Sequence, residues 1–350
     1  MGFQNTIIAW YQQHKRDLPW RNTTDPYVIW LSEIILQQTR VDQGLPYFQR
    51  FLDAYPSVSD FAAASEQEVL RMWQGLGYYS RGRNMHFTAR QVVALPGGAF
   101  PTGHDELIRL KGVGAYTAAA IASFSANEPV AVVDGNVYRV LARYFGVHLP
   151  INSNAGKKEF AMLANELLDR ENPGIYNQAI MEFGALQCKP VSPDCPACPL
   201  KESCYALKKG EVKTLPVKLK KAKPKDRYFL YLLCREGNKV LVKQRGSGDI
   251  WQHLYDFPLV EQGGPEGTIP GLQALAQIHS RFGQLVTIRP LQYKKHLLTH
   301  QIIHAHFFAL ENYIINFKEE AEYKWVSVDE LDALPLPKII SGFKDDFLNN

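Results

Sequence analysis

The spacing of apolar residues is helical through roughly the first two-thirds of the chain and strand-like beyond. A long helix signal opens at the turn Asp25-Pro26 and runs YVIWLSEIILQQTRV. Proline stands at its first helical position, where a missing N–H costs nothing. Ser32, Glu33, Gln37 and Arg40 fall at i, i+1, i+5 and i+8 and predict one polar stripe on this apolar helix. Residues 41–109 read as several short amphipathic helices broken at Pro56, Gly75, Gly77 and the Pro96 to Pro101 stretch. From Leu110, L-K-G-V-G-A-Y-T-A-A-A-I places two glycines behind an apolar anchor and ahead of an alanine-rich helix, which predicts two helices joined by a tight turn. A further helix covers YNQAIMEFGALQC, with Gln178 and Met181 on it.

Past residue 227 the runs RYFLYLLC, KVLVKQR, LYDFPLV, QIIHAHFFAL and AEYKWVSVDEL read as strands, with a helix over 271–282. The chain is therefore expected to be multidomain: an all-α domain over 1–207, a linker over 208–227 and an α+β domain over 228–350.

With 46% hydrophobic and 21% charged residues, the composition is that of an ordinary globular protein. No apolar run reaches membrane-spanning length, and charged residues arrive too early for a secretory signal, so a cytoplasmic protein without a membrane partner is expected. The net charge of +4 is concentrated in KKGEVKTLPVKLKKAKPKDR, residues 208–227, with nine basic residues against two acidic ones. Such a segment is either a solvated spacer or a strip of lysines along nucleic-acid phosphates.

Three clusters carry candidate chemistry. Gly112 and Gly114 lack a Cβ and are expected to let the hairpin take positive φ, with outward amides suited to phosphate. Asp134 in V-V-D-G-N-V follows an apolar run and is placed at the mouth of a pocket, where a lone D-G-N would otherwise be an Asx-turn. Cys188, Cys195, Cys198 and Cys204 are spaced C-x6-C-x2-C-x5-C, which in a chain without a secretory signal argues for a metal over disulfides, zinc included. Cys234, in FLYLLC, reads as a core thiol.

Together, the hairpin (about residues 108–124) and Asp134 resemble the helix-hairpin-helix, endonuclease III-like superfamily of base-excision DNA glycosylases. The motif W-L-S-E-I-I-L-Q-Q-T is similar to its adenine-specific branch, the A/G mismatch glycosylases of the MutY type. The resemblance implies a monofunctional enzyme, expected to be a monomer in the cytoplasm associated with the nucleoid through DNA. It would act on double-stranded DNA in which adenine lies opposite 8-oxoguanine or G. By the same resemblance Glu33 is the general acid; breaking an N-glycosidic bond then calls on Asp134 to stabilise the sugar cation or capture it transiently, with Tyr116 and Asn136 orienting water and Asp134. Trp20, Arg21, Leu36, Gln178 and Met181 line the adenine pocket, although many members of the family carry Glu at the position of Gln178. Tyr78 and Gln38 are duplex wedges and Thr39 a DNA contact. The cysteine loop, 188–204, matches the family's [4Fe-4S] spacing.

The region from K-V-L-V-K-Q-R to I-W-Q-H-L-Y-D-F-P resembles a Nudix domain. Its GLQALAQIHSRFG helix has no acidic residue to hold magnesium, so the resemblance leaves recognition of 8-oxoguanine as its role. The family's F-S-H loop corresponds to Leu298, Thr299 and His300 in H-L-L-T-H. Two other functions compete: an endonuclease III-like glycosylase with lyase activity on oxidised pyrimidines, and a non-catalytic DNA-damage binder. Tyr116 occupies the hairpin position of the lyase lysine, which opposes the first, and the presence of both carboxylates opposes the second.

Overall fold

A computed structural model describes residues 2–220, 222–264, 270–314 and 323–348. The chain divides into two compact units, residues 1–63 with 84–220 and residues 64–83 with 221–350. Two expectations reach past the described residues: Lys221 in the basic segment, and Ala321 and Glu322 at the start of the last predicted strand.

The first unit is helical. Pro26 opens the helix Pro26–Ile35, and Asp25 caps it by accepting a hydrogen bond from the Tyr27 amide. That helix ends at Ile35, and Gln38 at φ 56° turns the chain away. Gln37 and Arg40 therefore lie beyond the helix, and no polar stripe exists. Ser32 is buried and donates back to the Ile29 carbonyl at 2.7 Å, while Glu33 is buried beside it. The helix packs on Ala115–Ala126, whose small residues from Thr117 to Ser123 are all buried. Trp30 fills the space below, 5.1 Å from the Phe100 ring and 6.0 Å from the Phe61 ring.

A second layer joins Phe3–His14, Gly135–Phe145 and Pro173–Leu186 around Ile7, Val140, Leu141, Phe160, Ile180 and Phe183. Glycines make this layer tight. A Cβ at Gly184 would lie 2.7 Å from Asn136 Cβ, and one at Gly174 would lie 2.5 Å from the Ser123 carbonyl. The basic segment is not a free linker over its whole length. Leu215 is buried, the Ile151 amide donates to the Val217 carbonyl at 3.0 Å, and Asn152 bonds both backbone groups of Leu219.

In the second unit the expected strands form two sheets together with Arg235–Glu236 and Thr287–Leu297, which were not expected; LYDFPLV splits between the two sheets, and the VDEL end of the last run is helical. One has the order β5 (Leu259–Gln262), β1 (Lys225–Leu233), β7 (Gln301–Glu311), β6 (Thr287–Leu297), with β1 and β7 parallel. The other has β3 (Lys239–Gln244) at its centre, paired with β2 (Arg235–Glu236), β4 (Tyr255–Asp256) and β8 (Tyr323–Ser327). Leu272–Phe282 is helical as expected and covers a core that includes Leu230, Leu232, Phe308 and Cys234, the last fully buried. Segment 64–83 belongs to this unit, where the Tyr79 hydroxyl donates to the Leu336 carbonyl at 3.1 Å.

Gly184→Ala should destabilise the protein by about 1–3 kcal/mol, the cost of overpacking a tight contact. Urea unfolding followed by circular dichroism measures this, and an unchanged midpoint would show that the two helices separate freely.

Candidate active site

The helical unit holds a cavity of about 750 Å³. Its wall includes Trp20, Arg21, Glu33, Leu36, Gln38, Thr39, Tyr116, Asp134, Asn136, Gln178 and Met181. Glu33, Asp134, Tyr116 and Asn136 thus converge with the five residues expected to line the pocket, although they are scattered from position 20 to position 181. Trp20 is buried and meets Phe48 edge to face at 5.0 Å.

Glu33 and Asp134 differ in their surroundings. Glu33 accepts one hydrogen bond in this cavity, from the Tyr116 hydroxyl at 2.7 Å. Burial pushes its carboxyl up; Tyr116 and Arg21 oppose this, and Asp134 adds to it, leaving the group at about 7. Tyr116 is raised well above its ordinary value by burial and by the two carboxyls, so it stays a protonated donor. Asp134 caps the helix Gly135–Phe145 and accepts three N–H bonds: Val137 N at 2.7 Å, Asn136 N at 2.8 Å and Asn136 Nδ2 at 2.7 Å. Burial raises its carboxyl also, and those donors and Arg139 offset this only in part, so it stays above the ordinary aspartate value. Glu33 has one hydroxyl donor, whereas Asp134 has three N–H donors that favour its ionised form against burial.

Asn136 is itself held. Arg139 Nη2 donates to its Oδ1 at 2.9 Å and to the Gly184 carbonyl at 2.6 Å, while Nε reaches the Cys188 carbonyl at 2.7 Å. One buried guanidinium therefore ties the Asp134 turn to the start of the cysteine loop.

At the cavity's other end Glu182, with its side chain 1% exposed, accepts bonds from both Arg16 and Arg21. Burial alone would raise this carboxyl, but the two arginines outweigh it and hold it at about 2. Arg16, Arg139 and Glu182 were not singled out from the sequence. Glu182 follows Gln178 by one helical turn, and that spacing is the one signal that could have found it.

The remaining candidates are not among the residues that line this cavity. Gly112 has φ 79°, and a Cβ there would meet Asn84 Cβ at 2.9 Å. Gly114, expected at positive φ, is instead the extended N-cap of the next helix at φ −90°. Lys111, in the turn, donates its amide to Gln91 Oε1 at 3.1 Å. The four cysteines line one small cavity with Arg143, whose Nη1 lies 3.4 Å from Cys188 Sγ. In the second unit, Leu298, Thr299 and His300 form the turn between β6 and β7, and the Thr299 hydroxyl bonds the Tyr78 hydroxyl. Tyr78, like Gln38, has positive φ, at 47°, a strain of order 1 kcal/mol that Asn127, Ser192, Trp251, His253 and Asn312 share.

A buried glutamate and a helix-capping aspartate thus line one cavity of the helical unit, and the comparisons with known proteins make the class that of a DNA glycosylase joined to a Nudix-type domain. The family described as HhH-GPD superfamily base excision DNA repair protein matches residues 31–166, and the NUDIX domain family matches 229–343. Among curated relatives, the adenine DNA glycosylase of Buchnera aphidicola subsp. Baizongia pistaciae is 30% identical over 351 residues, 98% of this chain and 97% of its own. That of Homo sapiens is 41% identical over 223 residues, 61% of this chain and 41% of its own. A solved thermostable thymine-DNA glycosylase is 31% identical with a TM-score of 0.55, covering 59% of this chain and 95% of its own. The chain belongs to the adenine DNA glycosylase family of base-excision repair enzymes.

Glu182→Gln should lower stability at neutral pH by roughly 3 kcal/mol, because two arginines lose a buried charge partner. Glu182 is depressed in the folded state, so its contribution is present above the ordinary glutamate pKa of about 4.3 and is lost as pH falls toward about 2. The gap between parent and variant in chemical denaturation should be constant above pH 5 or so and narrow below it. A gap independent of pH would contradict the charge origin.

Proposed function

We propose that this enzyme removes adenine paired with 8-oxoguanine or guanine in duplex DNA, by hydrolysis and without a lyase step. The observation that carries the reading is the Glu33 carboxyl held near 7 in a cavity that Asp134 also lines. Adenine leaves poorly as an anion, so Glu33 donates a proton toward N7 as the C1′–N9 bond breaks. Asp134, fixed by its three N–H bonds, faces the cationic sugar as a carboxylate. Water ordered by Tyr116 and Asn136 adds to C1′, and its proton returns to Glu33. Tyr116 occupies the hairpin position from which a lysine would attack the sugar, and a tyrosine cannot form a Schiff base there.

Recognition of the opposite base is assigned to the Leu298–Thr299–His300 turn, with Tyr78 as the wedge bonded to Thr299. The partner is duplex DNA and the working unit a monomer. A [4Fe-4S] cluster suits the four cysteines. They line one cavity, although among the described residues no group of three or more His, Cys, Asp or Glu is arranged to hold a metal ion. Burial and neighbouring cysteines push Cys198 up to about 11, against the Leu200 amide, so a metal's charge is what would hold it as a thiolate. Bound there, the cluster would supply a rigid anchor for the loop that Arg139 ties to Asn136.

The direct test incubates purified protein with duplexes carrying A opposite 8-oxoguanine, G, C or T. Strand cleavage should appear only after alkali, and only for the first two. Glu33→Gln should abolish cleavage while retaining mismatch binding. The parent's single-turnover rate should fall about tenfold per pH unit on the alkaline side of about 7, as Glu33 loses its proton. Near-normal turnover by the Gln variant, or a flat alkaline limb, would remove Glu33 as the acid.

Thr299→Ala should leave excision opposite G measurable and reduce the preference for 8-oxoguanine over G. An unchanged preference would exclude the turn from recognition.

A further inference from the structure

Gln178 is the amide that the helix Pro173–Leu186 brings to the cavity wall, and what it offers a base depends on which end of the amide faces inward. Its Oε1 accepts a hydrogen bond from the Tyr11 hydroxyl at 2.7 Å. Tyr11 comes from the first helix, Phe3–His14, which packs on the Gln178 helix, and the two residues are 167 positions apart in the chain. The tyrosine has little freedom to leave. It is 5% exposed, the Arg21 guanidinium lies 5.7 Å from its ring centroid, and the Lys15 ammonium lies 5.6 Å from it. Arg21 is in turn fixed by Glu182, one helical turn beyond Gln178.

We propose that Tyr11 is a positioning residue that locks the amide of Gln178 with Nε2 toward the cavity, so that the pocket presents a hydrogen-bond donor to a ring nitrogen of the base. A phenol donates more readily than it accepts, and the carbonyl oxygen is the end of an amide able to receive it. Burial also raises the Tyr11 hydroxyl, which keeps its proton at physiological pH. Among the described residues Nε2 has no protein acceptor, so a ring nitrogen entering the cavity satisfies it. A base offering N–H at that point would instead set two donors face to face, which is the expensive mismatch that gives polar pockets their selectivity. The inference deepens the reading of the cavity as an adenine pocket and rests on it.

Two measurements separate this inference from that reading. In the free protein, the Gln178 side-chain amide resonance, assigned by its loss in Gln178→Ala, should shift in Tyr11→Phe. An unmoved resonance overturns the lock whatever the enzyme cleaves. With DNA, single-turnover excision of adenine opposite G should fall about tenfold in Tyr11→Phe, the worth of roughly one hydrogen bond, and Tyr11→Phe should add no further loss in a Gln178→Ala background. Duplexes carrying 1-deaza- or 3-deazaadenine, which lack one ring acceptor each, should show a matching tenfold loss for one analogue in the parent and none in Tyr11→Phe. An equal Tyr11→Phe effect with and without Gln178, or analogue discrimination that survives the substitution, would make Tyr11 a packing residue only. Failure of the parent to release adenine would count against the pocket reading, while the resonance would still decide the lock.

Discussion

Keeping one carboxyl buried and protonatable near neutral pH is the constraint on which the rest of the helical unit depends. Glu33 leaves water on the apolar helix Pro26–Ile35, and each neighbour limits what that burial would otherwise do. Too much desolvation, or an unopposed Asp134, would leave the acid permanently protonated and too weak to give its proton up. Tyr116 and Arg21 hold it back. The early end of the helix serves the same purpose, because Gln38 in a left-handed conformation brings Leu36, Gln38 and Thr39 round to close the cavity beside the acid.

Two arginine networks brace this arrangement from opposite sides. Arg139 links Asn136, Gly184 and the Cys188 carbonyl, so one guanidinium joins the start of the cysteine loop to the residue that donates to Asp134. Arg16 and Arg21 meet on Glu182, and Arg21 also faces the Tyr11 ring. Each network buries charge, which is costly unless every group is paired, and here each guanidinium finds carbonyl or carboxylate partners. The return is geometric: groups from the first helix, the hairpin and the Pro173–Leu186 helix are held around one cavity.

Much of this was legible in the chain because the chemistry sits in short motifs. W-L-S-E, G-V-G-A-Y and V-V-D-G-N carry Glu33, Tyr116 and Asp134, and the two-to-one division into helix and strand followed from periodicity. What escaped depends on tertiary structure. Tyr11, Arg16, Arg139 and Glu182 act through partners far away in sequence or across helices, and no local pattern distinguishes them from surface or core residues. The predicted polar stripe failed because periodicity cannot see where a helix stops, and Gly114 needed no positive φ because one glycine suffices for the turn. The basic linker misled through composition alone, since its buried Leu215 and backbone bonds to Ile151 are invisible to a charge count.

The protonation of Glu33 can be observed without any substrate. Difference infrared spectra between the protein and Glu33→Gln should show a protonated carboxyl C=O band that disappears with a midpoint near pH 7. A band already lost by about pH 5, as for an ordinary glutamate, would contradict the account, because the cavity would then hold a carboxylate and not the acid that the proposed mechanism requires.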